Sequence, residues 1–208
     1  MFGFLIFYMD IVMSLKKISM AAATVVLALG SSSSFAATDL GLITFDGAVT
    51  DTTCTITTNN GEGTNNITIA LPVVKKSDVE ATTLDKGVGA KNFELLLTNC
   101  PDTVSKASAN FMSKNMGSVA NGTVDPDSNV AGSATNVSLA MYNNSSSNTD
   151  RIMVGQPANN TQVATVTSGS GKLYYRVAYV PGSAWVKDTN PVTAGKVSAN
   201  AYFTMSYE

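Results

Sequence analysis

The sequence predicts an all-β sandwich of immunoglobulin-like type, closed by one disulfide, and three observations predict it. First, β-branched and aromatic residues fall in about seven or more short alternating runs, separated by Gly, Asn, Ser and Pro turn signals. Second, two cysteines, Cys54 and Cys100, sit at such runs in a chain that opens with an export signal. Third, no helical pattern exceeds about two turns, and Ser77 to Leu84 is the best candidate. With 44% hydrophobic and 13% charged residues, the chain can bury a core and is too apolar for disorder.

Charge and composition exclude several function classes. Thirteen basic residues stand against 15 acidic ones, a formal net charge of −2, so nothing supplies the basic footprint that nucleic acid requires. There is no His, which removes the usual general base near neutral pH and the commonest metal ligand together. No cofactor, metal or catalytic set is expected. Asp102, Asp125, Asp127 and Asp150 could be drawn as paired carboxylates or calcium ligands, but their spacing matches no ion-binding loop and solvated loop acids explain them. A Ser-x-x-Lys nucleophile finds no convincing setting either, since Ser105 is followed directly by Lys106. The sequons Asn66-Ile-Thr and Asn136-Val-Ser are expected by chance in a chain so rich in Asn and Thr.

In chain order, Lys16 and Lys17 form a basic start, Met20 to Leu29 an apolar core and Gly30 to Ala37 a small-residue stretch, which together read as a secretory signal peptide over 1–36. Ser34 and Ala36 are the small residues that place cleavage after Ala36. The alternative, a membrane anchor, needs about 20 apolar residues, and this core is well short. Residues 1–12 lie upstream of an already complete signal, which suggests a start codon called too early and Met13 as the first residue. Export lets Cys54 and Cys100 form a disulfide, and closing that loop restricts the unfolded chain by about 4 kcal/mol. A reactive thiol or half a metal site are the other readings, and no His supports either.

Ile43, Phe45 and Val49 share one face of an extended segment that runs toward Cys54. Asn59 to Asn65 is a turn cluster, and Ile67 to Leu71 resumes a strand before Pro72. Phe93, Leu95 and Leu97 alternate toward Cys100, so the bridge is expected to tie two strands. Met112 to Asn136, rich in Gly, Ser, Asn and Asp, reads as surface loops with at most one short strand. Strands follow at Val137 to Tyr142, Gln162 to Thr167 and Lys172 to Val180, the last with Leu173, Tyr175, Val177 and Tyr179 on one side. Trp185, the single Trp, fits a loop or the core equally. The final strand, Val197 to Tyr207, alternates without a break: Val197, Ala199, Ala201, Phe203, Met205 and Tyr207 against mostly polar even positions. One face is expected to be buried and the other wet.

These termini carry a resemblance. Gly195 opening the last strand, Phe203 and the penultimate Tyr207 resemble the C-terminal signature of pilin subunits of the chaperone–usher pathway, the type 1 fimbrial family. The stretch from Gly41 to Cys54 resembles that family's N-terminal extension and first cysteine, and Phe93 to Cys100 resembles the strand carrying the second. The resemblance implies an incomplete sandwich, residues 50–208, that lacks its seventh strand and is completed by a strand from another subunit. It implies a donor segment at 37–49, with Gly41, Ile43, Phe45 and Gly47 toward the neighbour's groove. It assigns Gly195, Val197, Phe203, Met205, Tyr207 and Glu208 to the groove-edge strand, with the terminal carboxylate of Glu208 meeting basic residues of a chaperone. The implied partners are a periplasmic chaperone, an outer-membrane usher and neighbouring pilins of the same or another kind. A host receptor is the one further partner allowed. The implied function is a structural subunit of a cell-surface fimbria, reached through the periplasm; a minor adaptor, a receptor-binding subunit and a stand-alone secreted sandwich are the alternatives.

Overall fold

A computed structural model describes residues 53–58 and 67–208. The signal segment 1–36, the extension 37–49 with Gly41, Ile43, Phe45 and Gly47, and the turn cluster at Asn59 lie outside the described residues. The described elements are β1 (Thr55–Thr58), α1 (Lys76–Ala81), β2 (Val88–Thr98), β3 (Lys106–Met112), β4 (Met116–Ser118), β5 (Thr123–Val124), β6 (Val137–Asn143), β7 (Val163–Thr165), β8 (Gly171–Pro181) and β9 (Tyr202–Tyr207). They form two antiparallel sheets, one ordered β1-β2-β8-β6-β5-β4 and the other β7-β3-β9. The architecture is the expected all-β sandwich.

Alternation sets the inner face of each sheet. On β2, Phe93, Leu95 and Leu97 are buried; on β8, Leu173, Tyr175, Val177 and Tyr179 are; on β3, Ala107, Ala109 and Phe111 are. Tyr175 sits between Phe93, 5.4 Å away, and Phe111, 5.0 Å away and edge-on, an arrangement that suits the ring quadrupoles. Its hydroxyl has no hydrogen-bond partner among the described residues.

The middle of the larger sheet is buried on both faces. Ala140, Tyr142, Ala178 and Val180 point away from the main core, yet none is exposed, because the turn after α1 straps over them with Leu84. Polar contacts hold the strap: the Tyr142 hydroxyl donates to Leu84 O at 2.6 Å, Arg176 donates to Lys86 O at 2.8 Å, and Arg151 pairs with Asp85 at 2.9 Å. The Arg176 guanidinium also lies 3.8 Å from the Tyr142 ring centroid, a cation–π contact. The helix, confined to Lys76–Ala81, buries Val79, and Glu80 accepts a hydrogen bond from Val192 N at 2.8 Å.

Several sequence expectations are corrected. β3 was not foreseen; Ala107 and Ala109 are too small to announce a buried face. Ile67 to Leu71 lies in no strand: its burial alternates, but it joins no ladder among the described residues. The loop region after Met112 holds two short strands, β4 and β5, rather than one at most. The last strand begins at Tyr202, not Val197, because β3 ends at Met112, directly opposite Tyr202, and leaves earlier residues without a ladder partner. Upstream, irregular contacts take over: Ser198 O accepts from Asp127 N at 2.7 Å, and Lys196 O from Ala134 N at 2.8 Å.

Cys54 and Cys100 are joined by a disulfide with Cα atoms 4.1 Å apart, bridging the start of β1 to the end of β2. The pair is separated by 46 residues in sequence. Replacing both by Ser is expected to cost about 4 kcal/mol, read as a lower urea midpoint for the monomeric domain. A second prediction concerns alkali. Burial pushes the Tyr142 phenol from 10.0 up to about 12, against the pull of Arg176 and Arg151. The raised value means that its contribution is complete below pH 10 and is lost as pH climbs toward 12. Tyr142→Phe should flatten that part of the stability curve, measured by urea titration from pH 8 to 12, while costing about 1 kcal/mol at neutral pH for the lost bond.

Candidate functional site

β9 is an edge strand. Among the described residues it pairs with β3 alone, from Tyr202 opposite Met112 to Tyr207 opposite Ala107. Glu208 N donates to Lys106 O at 3.0 Å and Lys106 N donates back to Glu208 O at 2.9 Å, which makes these two residues a hydrogen-bonded pair. Antiparallel pairing alternates, so Ser206, Thr204 and Tyr202 also turn their backbone groups toward β3. The N–H and C=O groups of Phe203, Met205 and Tyr207 therefore point to the open edge.

The same three residues direct their side chains inward. Val197, Ala199, Phe203, Met205 and Tyr207 are half-buried, whereas Ser198, Asn200, Thr204, Ser206 and Glu208 are exposed. The expected face is present, but it is only half covered. It forms one wall of an open cleft of about 1130 Å³. Ile56, Ile67, Ile69 and Leu71 form the other wall, and Phe93, Leu95, Phe111, Leu139, Met141, Val177 and Tyr179 line its depth. Phe203 meets the floor at Phe111, with ring centroids 6.3 Å apart. Burial pushes the Tyr179 and Tyr207 phenols upward, which marks the cleft as a poorly solvated, apolar environment.

The two ends of the β9 segment are fixed by different means. Gly195 passes so close to the 132–134 backbone that a Cβ there would lie 2.5 Å from Ala134 N and 2.6 Å from Gly132 O. No side chain fits, and the glycine lets the chain turn into the cleft wall. At the far end, Glu208 O accepts from Ser105 N at 2.6 Å and from the Ser105 hydroxyl at 3.1 Å, and the Glu208 side chain pairs with Lys106 at 3.2 Å.

The loop acids are placed apart from this cleft. Asp125 accepts from the Ser138 hydroxyl and Asp127 from Asn129 N at 2.9 Å, so both are engaged locally. Among the described residues, no group of three or more His, Cys, Asp or Glu is positioned to hold a metal. Trp185 packs against the core, and its indole N–H has no partner among the described residues. The wall at Ile67 to Leu71 is the part of the site that the sequence read as an ordinary strand; its neighbour Pro72, which cannot donate, was the available sign that no ladder follows.

The site is thus a sandwich whose apolar interior opens on one side, beside a strand edge with no ladder partner among the described residues. Comparison with known proteins gives that class its particulars. The sequence profile described as fimbrial protein matches residues 43–208. Over 197 residues the chain is 32% identical to long polar fimbria protein A of Salmonella typhimurium, covering 93% of this chain and 98% of the relative. It is 29% identical to the F17 fimbrial protein of Escherichia coli, covering 88% and 95%, and 31% identical to a probable major fimbrial subunit of Escherichia coli O157:H7, covering 93% and 98%. The chain belongs to the fimbrial protein family and is a structural subunit of a cell-surface fimbrium, built to polymerise with other subunits.

Gly195→Ala tests the approach of the β9 segment. Displacing backbone rather than a side-chain tip is expected to cost about 1–3 kcal/mol, and the loss should appear in thermal unfolding as a lower Tm together with weaker strand acceptance.

Proposed function

We propose that this chain is exported through the periplasm with removal of residues 1–36, and then polymerises by donor-strand exchange, residues 37–49 of one copy filling the cleft of the next. The observation that carries the reading is the coincidence on Phe203, Met205 and Tyr207 of outward backbone groups with half-buried apolar side chains. An incoming strand can satisfy both at once. Strand addition to an open edge is a recurring mode of recognition, and chaperone–pilin complexes are a standing example of it, so the mechanism comes with the family. The open apolar cleft beside β9 supports that reading.

The sequence supplies a matching donor. Gly41, Ile43, Phe45, Gly47 and Val49 fall on alternate positions, so Ile43 and Phe45 fill the cleft while the glycines pass where its walls are close. Before assembly the cleft is an exposed template for aggregation. A periplasmic chaperone that lends a strand covers it, and an outer-membrane usher is where the exchange takes place. One relative's designation as a probable major fimbrial subunit supports the same place, the shaft, for this chain.

Deleting residues 37–47 separates giving from accepting. The truncated chain should still bind a chaperone or a peptide of sequence 38–49, yet form no fibres alone, scored by electron microscopy and by sedimentation. In mixtures with the full chain it should shorten fibres in proportion to its share. Fibres of normal length from the truncated chain alone would overturn the reading.

A further inference from the structure

Val73 is fully exposed, whereas the next most exposed large apolar side chain among the described residues, Val163, shows 60% of its surface. The exposure is not that of a loose end. Leu71, two residues before, lines the cleft, and Val74 packs against Gly89, where an added Cβ would lie 2.5 Å from Val74 Cγ1. The backbone is held on both sides and aims Val73 at solvent. Lys75 and Lys76 follow, both exposed, and neither has an ion-pair partner among the described residues.

The position of Val73 gives it a neighbour. Gly89 adjoins Val88, which pairs with Tyr179, so Val73 lies at the end of the sandwich where β2 begins and β8 finishes. The Cys54–Cys100 bridge lies at the opposite end, where Leu97 pairs with Gly171 and Cys100 N bonds to Gly169 O. On the donor-strand reading, the extension joins the described domain at Cys54, hence at the disulfide end. From Val49 to Cys54 the chain reaches at most about 18 Å, so the domain that gives a strand must sit against the mouth of the cleft it fills. Insertion from the disulfide end would crowd the disulfide ends of three successive copies at one point, and such a chain could not lengthen. Head-to-tail growth requires the disulfide end of one copy to face the Val73 end of the next.

We propose that Val73, with Lys75 and Lys76, is a docking patch for the disulfide end of a second copy of this chain, which presents the exposed Asp102, two residues beyond Cys100. The contact rests on the donor-strand reading, and it adds a body-to-body interface outside the cleft. Apolar contact at Val73 excludes water, and the lysines facing Asp102 fix the register and speed encounter.

The test uses full-length chains assembled on cells. A photo-crosslinking side chain at position 73 should join each copy to residues 98–105 or 53–55 of another, mapped by mass spectrometry. Lys75→Glu with Lys76→Glu should slow fibre elongation several-fold at low salt, less at high salt, and Asp102→Lys should restore it. If fibres form in dependence on residues 37–47 but the crosslinks map to the partner's own Val73 end, or none form, the docking patch is overturned and donor-strand exchange stands. Failure of Asp102→Lys to restore elongation overturns the charge pairing in the same way. If fibres form without residues 37–47, the donor-strand reading fails and the patch fails with it.

Discussion

A core with one wall unfinished is the constraint on which the rest of this structure depends. β9 is bonded to β3 along one edge and to no strand among the described residues along the other, and the side chains it sends inward are only half covered. In a closed sandwich, Phe203, Met205 and Tyr207 would be as deeply buried as Phe93 or Leu173. Here they stand at the surface of a cleft that reaches the floor of the core. Apolar surface in water and unpaired edge groups are each unfavourable for an isolated domain, and both are concentrated on the same few residues.

The remaining architecture compensates by fixing that wall without the strand that would normally flank it. The loop between β5 and β6 and the segment after β8 are the means. Gly195 lets the chain lie against 132–134, Asp127 holds Ser198, and Ser105 and Lys106 hold Glu208. Val192 is buried and tied to Glu80, so the helix anchors the start of the same segment. On the other side of the larger sheet, the strap over Tyr142 buries a second small cluster, so stability is gathered where the cleft does not reach. The disulfide clamps the base of β1, the strand beside the cleft's second wall. These contacts hold both walls of the groove in place around the apolar floor of the core.

Much of this frame was legible in the sequence. Large side chains at strict alternation gave β2 and β8 their correct inner faces, and export context paired the two cysteines. Legibility failed where local pattern and long-range pairing part company. β3 carries its buried face on Ala107, Ala109 and Phe111, and two alanines among Ser and Asn give almost no hydrophobic contrast, although this strand holds β9 in place. Ile67 to Leu71 alternates as well as any strand, because facing a cleft demands the same pattern as facing a core; what it lacks among the described residues is a neighbour for its backbone, which alternation cannot report. For the same reason Val197 to Ala201 continued the strand in sequence but not in structure. The periodic signal records which face meets apolar surroundings, and the length of the partner, here β3 ending at Met112, decides where pairing stops.

On the donor-strand reading, the magnitudes make for a long-lived joint. A strand that seats two or three large apolar side chains in the cleft gains about 1.5–3 kcal/mol for each. Its backbone bonds to Phe203, Met205 and Tyr207 add about 1 kcal/mol apiece. The sum, on the order of 10 kcal/mol, matches the whole net stability of a typical domain, about 5–15 kcal/mol. Filling the cleft is then not a contact added to a finished protein but the larger part of finishing it. Withdrawal of the strand would return Phe203, Met205 and Tyr207 to their half-buried state and their outward backbone groups to water, so separation of two subunits is coupled to loosening of one of them. The barrier to that event is the barrier to opening a core, and the lifetime of a joint made this way is set by unfolding kinetics rather than by the affinity of a surface patch.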